Sequence, residues 1–290
     1  MAGKNERQRR IAREKYRRQQ EIRMARRRQQ RKRGVIALSA VLGAALIASL
    51  LAVFLPGGTP KKHPTASPSK SASATPSATT VAEPAHHCTY TKTGTAARTV
   101  SLPSATPDYT ASYTATITTN LGKIAVNLEN SKATCTVNSF VHLAEAGYFN
   151  NTQCHRLLTS GIYVLQCGDP YATASTKLTC SSTSKIGTGI PGYEFASENL
   201  TDAKYPAGTV AMANEGTATT NGSQFFIVYK DSTSGLGATY TPFGTVSSGL
   251  GIVQNVAKDG YSCQYTVSGQ SEGGAPKEKV IIDSVTIKKT

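Results

Sequence analysis

The sequence predicts a mainly β domain, a barrel or sandwich capped by two helices, preceded by a single transmembrane helix. Three observations predict it. From Tyr113 onward, short runs alternate apolar and polar residues between turn residues. Two stretches among them carry helical spacing instead. Gly34 to Leu55, "GVIALSAVLGAALIASLLAVFL", is a 22-residue run without a charged side chain, long enough to cross the hydrocarbon core of a bilayer as a helix.

Residues 1–33 hold fifteen Lys and Arg against Glu6, Glu14 and Glu21, a net +12 of the chain's +15. Such arginine density could contact nucleic-acid phosphates without sequence preference. The positive-inside rule accounts for it already: a basic cytoplasmic tail before a span at 34–55 puts the remainder of the chain outside the membrane. Anionic lipid headgroups are its expected partners, with no specific nucleic acid. A cleaved secretory signal fits less well than an uncleaved anchor. The charged segment is long, the apolar run exceeds a signal core, and "PGGTPKKHP" offers no small-residue cleavage site.

Residues 56–87 are Pro, Ser, Thr and Ala with almost no large apolar side chain, a composition that cannot bury a core and reads as a linker. As a flexible coil it would average about 30 Å end to end, which keeps the next domain near the membrane. Residues 88–111 form an N-terminal extension, and the domain proper runs from 112 to 290.

Within the domain, "YTATITT" and "KIAVNLE" flank "NLG" as a hairpin with Gly122 at its turn. "TVNSFVHLAEAGYF" then sets Val137, Phe140, Val141 and Ala144 at i, i+3, i+4 and i+7, with Gly147 ending the helix. Strands come next at "GIYVLQCG", "GTVAMAN", "SQFFIVY", "PFGTV" and "KVIIDSVTI". A second short helix lies in "LGIVQNVAKDG".

All six cysteines, Cys88, Cys135, Cys154, Cys167, Cys180 and Cys263, lie beyond the span on the expected exterior, where disulfides persist. Six cysteines allow fifteen full pairings, and sequence does not choose among them. Neither "HHC" at 86–88 nor "CH" at 154–155 with Cys167 has the paired spacing of a zinc site, so no metal or other cofactor is expected. A cysteine nucleophile needs a basic partner, and no histidine occurs after His155.

The order of motifs is more specific than any one of them. "GKIAVNLE", "CHR", "LQCGDP", "GTGIPGYEF", "GTVAMAN", "TNGSQFFI" and "PFGTV" succeed one another between Ser112 and Ile287. In this order they resemble the cyclophilin-type peptidyl-prolyl isomerases. With tail, span and linker, the layout is similar to that of membrane-anchored actinobacterial members. The resemblance implies a closed eight-stranded antiparallel barrel capped by two helices, with a groove on its outer face. It implies Arg156 and Gln166 as the catalytic pair. Tyr163, Val164, Met212, Phe226 and Leu236 would wall a proline pocket, and Asn214 would pair through its main chain with bound peptide. Ala213, Gln224 and Tyr240 complete the implied substrate-binding set, and Tyr240 stands where the family usually has histidine.

Such a site needs neither nucleophile nor metal. Rotation about an Xaa-Pro bond meets a barrier of about 18–20 kcal/mol because amide resonance must be broken. In the twisted state the prolyl nitrogen regains a lone pair, and a cationic donor aimed at it stabilises that state above either planar isomer. Arginine stays charged and presents its N–H groups in a rigid fork. The reaction transfers no proton, so His155 reads as a buried, hydrogen-bonded residue.

The sequence departs from the family in places. It has no tryptophan, and Gly235 or a neighbour stands where many members carry the one that contacts cyclosporin, so weak or absent cyclosporin binding is expected. The segments "HRLLTSGIYVLQ" and "NEGTATTNGSQ" are longer than is common, and "YATASTKLTCSSTSKIG" is inserted. Cys167 with Cys180 and Cys135 with Cys154 are conceivable bridges. A proline-binding module or holdase with little turnover is the rival to an isomerase acting on proline-containing polypeptides.

Overall fold

The computed structural model describes residues 87–181, 184–267 and 270–290. The basic tail, the expected span and nearly all of the expected linker lie outside them. Among the described residues no helix is long and apolar enough to cross a membrane.

The domain opens with β1 (Thr91–Lys92), followed by the hairpin β2 (Tyr113–Thr119) and β3 (Gly122–Leu128). Their burial alternates as the pleat requires. Gly122 takes φ +127°, which a side chain would disfavour, and so carries the turn. Next comes α1 (Thr134–Glu145), whose buried Val137, Phe140 and Ala144 form the expected stripe. No side chain of its own caps its N-terminus. The Glu198 carboxylate does so from a distant loop, accepting from the N–H groups of Cys135 (3.1 Å) and Thr136 (2.7 Å), where the helix dipole favours negative charge.

The chain continues through β4 (Thr152–Gln153), β5 (Arg156–Ser160), β6 (Ile162–Cys167), β7 (Tyr193–Glu194), β8 (Thr209–Met212) and β9 (Phe225–Val228). A one-turn helix α2 (Thr233–Leu236) leads to β10 (Pro242–Ser248) and α3 (Leu250–Asp259). The chain closes on β11 (Tyr261–Val267), β12 (Gln270–Pro276) and β13 (Ile281–Lys289).

The large sheet has eleven antiparallel strands in the order β11-β12-β5-β6-β9-β8-β10-β3-β2-β13-β4. This corrects the expected closed barrel, because hydrogen bonds do not join the ends of the ladder. The reason lies between β4 and β5. Cys154 N–H donates to Val280 O at 2.9 Å and His155 N–H to Gln166 O at 3.0 Å, so one extended segment pairs first toward β13 and then with β6. The run from β5 to β13 supplies the eight expected strands, and chain continuity links its two ends. The β11–β12 hairpin is added beyond β5, with Gly274 opposite Leu157.

Phe140 of α1 packs against Phe149, Phe225 and Phe243, with ring centroids 5.2 to 5.5 Å away, at the centre of the main core. The N-terminal extension is fastened to the helix end. Arg98 Nη1 donates to the carbonyls of Gly147 (3.2 Å), Tyr148 and Asn150 (3.1 Å) in the turn that follows α1.

All six cysteines are paired, as Cys88–Cys135, Cys154–Cys167 and Cys180–Cys263. Both conceived bridges are therefore wrong. Cys154 faces Cys167 across adjacent strands at a Cα separation of 4.0 Å, and Cys135 at the start of α1 meets Cys88 of the extension.

Candidate active site

Directly opposed residues of antiparallel strands share a face of the sheet. Arg156 opposes Gln166, Gln166 opposes Phe226, and Phe226 opposes Ala211, so one row crosses β5, β6, β9 and β8 on the outer face. Two residues along, Leu158, Val164 and Val228 form a parallel row. Alternation thus sets a cationic and an amide side chain beside an apolar surface.

That surface is a second core cluster outside the sheet. Leu158, Val164, Tyr205, Ala211, Phe226, Val228 and Leu236 are buried in it, with Ile162, Ala203, Ala213 and Tyr240 partly buried against it. Phe226 is 4% exposed and meets the Tyr240 ring edge-on, 5.5 Å between centroids. The Tyr205 hydroxyl donates to Tyr240 O (2.8 Å) and accepts from Tyr240 N–H (3.2 Å), holding that ring in place. The result is an apolar cup floored by Phe226.

Polar groups are ordered beside it. Arg156 Nη1 donates to Gln166 Oε1 at 3.4 Å, and Gln166 Nε2 donates to Gln224 Oε1 at 2.9 Å. Gln224 Nε2 in turn donates to Gly187 O (3.0 Å) and Gly189 O (3.1 Å). Asn214 Nδ2 donates to Thr239 O (2.9 Å), tying the segment that follows β8 to the turn that carries Tyr240. A cleft of about 80 Å³ adjoins the glutamines, lined among others by Gly187, Ala213, Asn214, Glu194 and Glu215.

The apolar and aromatic side chains of the expected substrate-binding set divide in two. Val164, Phe226, Leu236, Ala213 and Tyr240 gather on the cup. Met212 and Tyr163 belong with the inner core instead, since each is one residue out of step with the outward row. Tyr163 packs on Tyr229 at 5.9 Å under the Lys230 ammonium at 4.6 Å. Residues missed from sequence include Leu158, Ile162, Ala211, Val228 and Tyr205. Counting in twos from Arg156 and Gln166 would have found Leu158 and Val164 together.

Gly235 lies under the cup's edge, and a Cβ there would come 2.5 Å from both Gly161 O and Ile162 Cγ2. The backbone leaves no room for a side chain at that position. His155 is buried, but no protein group among the described residues meets either ring nitrogen, contrary to the hydrogen-bonded histidine expected. Burial, and secondarily the Arg156 charge, push its pKa down to about 3. It is a neutral packing residue at neutral pH.

Residues 114–287 match the family described as cyclophilin type peptidyl-prolyl cis-trans isomerase. The chain is 44% identical over 183 residues to the probable peptidyl-prolyl cis-trans isomerase B of Mycobacterium tuberculosis, covering 58% of this chain and 52% of that protein. It is 43% identical over 183 residues to the Mycobacterium leprae protein of the same name, covering 58% and 55%. Against peptidyl-prolyl cis-trans isomerase-like 1 of Mus musculus, identity is 37% over 139 residues, covering 48% and 75%. The matches span about half the length of the mycobacterial relatives. A crystal structure of a Cryptosporidium parvum cyclophilin type peptidyl-prolyl cis-trans isomerase superposes with a TM-score of 0.50 at 25% identity, covering 62% of this chain and 99% of that one. The chain belongs to the cyclophilin-type peptidyl-prolyl cis-trans isomerase family.

Proposed function

We propose that this chain catalyses cis-trans isomerisation of Xaa-Pro bonds in polypeptides outside the membrane, and so assists their folding. One observation carries the reading: the Arg156 guanidinium, paired with Gln166, stands in register with the buried Phe226 floor of an apolar cup. A prolyl ring seated on Phe226 is held by its hydrocarbon surface while the preceding carbonyl turns. Arg156 then donates toward the prolyl nitrogen as its lone pair appears, and Gln166 orients the guanidinium and the substrate backbone. Losing one such donor typically costs about 10²–10³-fold in rate, about 3–4 kcal/mol of the barrier.

A run at 34–55 that spans the membrane, a cytoplasmic basic tail on anionic headgroups and a tethered domain outside complete the proposal. The three disulfides support an oxidising compartment. With glycine at 235 and no space for a side chain there, cyclosporin is expected to bind weakly.

The test is turnover of a short Xaa-Pro peptide by the full chain in detergent, oxidised, beside Arg156→Ala. Catalysis that falls at least 100-fold in the variant, with peptide affinity largely kept, supports the proposal. Peptide binding without catalysis in the wild type supports the tethered binding module, a reading that Tyr240 against Phe226 favours.

A further inference from the structure

We propose that Asp169 and Gln224 are positioning residues, which set the direction of a hydrogen-bond relay ending on Arg156. The inference deepens the isomerase reading and rests on it.

The relay begins at a carboxylate the mechanism does not use. Asp169 lies two residues after β6 and is fully buried. Its carboxylate accepts from Tyr171 N–H at 2.8 Å and from Gly187 N–H in a short contact. These bonds draw the loop around Gly187 onto the end of β6. The fit is close: a Cβ on Gly189 would lie 2.1 Å from Asp169 Oδ1 and 2.8 Å from Pro170 Cδ. Gly187 adopts φ +89°, and its carbonyl and that of Gly189 both face Gln224.

Donor and acceptor counts set the direction of the relay. A glutamine amide has a donor end and an acceptor end, and nothing in its shape chooses between them. Two carbonyls, which only accept, meet Gln224, so its NH₂ must face the loop and its oxygen must face Gln166. Gln166 must therefore turn its own NH₂ toward Gln224 at 2.9 Å and its oxygen toward Arg156 at 3.4 Å. Were Gln224 reversed, Gln166 would reverse with it and present a donor to a guanidinium that can only donate. The carbonyls that Asp169 holds in place thus decide, two amides away, that Arg156 faces an acceptor.

The experiment uses the isotope-labelled full chain in detergent, with three single variants: Asp169→Asn, Gln224→Leu and Gln224→Glu. Asparagine at 169 puts an NH₂ among N–H donors. Glutamate at 224 sets a carboxylate against two carbonyls while still offering Gln166 an acceptor. Two readouts apply: side-chain amide and guanidinium NMR resonances of Gln166 and Arg156, and the separate kcat and KM for an Xaa-Pro peptide. Gln224→Leu and Asp169→Asn are expected to shift the Gln166 and Arg156 resonances and to lower kcat about tenfold with KM changed less than threefold. Gln224→Glu should keep the Gln166 resonance nearer wild type than Gln224→Leu does. Unmoved resonances in folded Gln224→Leu would overturn the relay, as would a change in KM alone. Because the NMR arm needs no turnover, a wild-type chain without catalysis would defeat the isomerase reading while the relay could still be judged. Should Asp169→Asn not fold, the two Gln224 variants, whose side chain lies at the open cleft, decide the outcome.

Discussion

His155 neighbours Arg156 in sequence and shares none of its exposure. Its side chain is 2% exposed, and burial pushes its pKa to about 3, against about 6.5 in an unfolded chain. Between those values the unfolded state carries a proton that the folded state refuses, so acid favours unfolding. The contribution is complete above about pH 6.5 and is lost as the pH falls toward 3, with a slope of up to about 1.4 kcal/mol per pH unit. Denaturant unfolding of the wild type and His155→Leu between pH 7 and 4 should show the shallower decline in the variant. Parallel curves would mean that the imidazole is not desolvated as described. Between pH 6 and 8 the ring stays neutral, and isomerase turnover should not track its titration.

Among the elements, the segment from Thr152 to Ser160 matters most, because it changes partner and presents Arg156 at the change. Cys154–Cys167 spans this segment and β6, ending two residues before Arg156 and one after Gln166. A bridge closing 13 residues stabilises by about 3 kcal/mol and one closing 83 by about 4.6 kcal/mol in the chain-entropy account. Their functional effects should run the other way. Cys154→Ala with Cys167→Ala is expected to lower both stability and kcat, since the pair fixes the spacing of the strands that carry Arg156 and Gln166. Cys180→Ala with Cys263→Ala should lower stability at least as much and leave kcat near wild type. Equal kcat losses from the two double variants would show that the bridges act only through global stability. This segment was also the least legible part of the sequence. "RLLTS" does not alternate, because Leu157 faces the inner core while Leu158 is buried under the outer cluster. β11, "YSCQYTV", alternates Tyr261, Cys263, Tyr265 and Val267 with polar residues, a strand signal absent from the expected set, while β12, "QSEGGAP", gives no apolar period. The open ladder follows from the change of partner between Cys154 and His155. The strands with Val and Ile alternation and both longer helices were legible, and motif order named Arg156, Gln166 and Phe226, which the structure sets in one row. The relay was not, since its direction depends on two backbone carbonyls about twenty residues beyond Gln166.

For the whole molecule, topology depends on where charge and cysteine fall along the chain. Fifteen cations precede the apolar run at 34–55, and only Lys61 and Lys62 stand close behind it. That asymmetry favours retention of the N-terminal side in the cytoplasm. The folded domain has all six of its cysteines paired, a state that a reducing cytoplasm would oppose. Two independent properties, one electrostatic and one redox, thus favour the same side for the domain. A bacterial alkaline phosphatase reporter, itself active only where disulfides form, should be active when fused after Thr290 and inactive when fused after Arg33. Replacing ten of the tail's arginines by glutamine should weaken this bias and reduce the activity of the Thr290 fusion. The released fraction should stay constant across both chains if the apolar run is an uncleaved anchor. An inactive fusion at Thr290 would place the domain in the cytoplasm. The bridges could then not persist there, and the strand pair carrying Arg156 and Gln166 would have to keep its spacing without Cys154–Cys167.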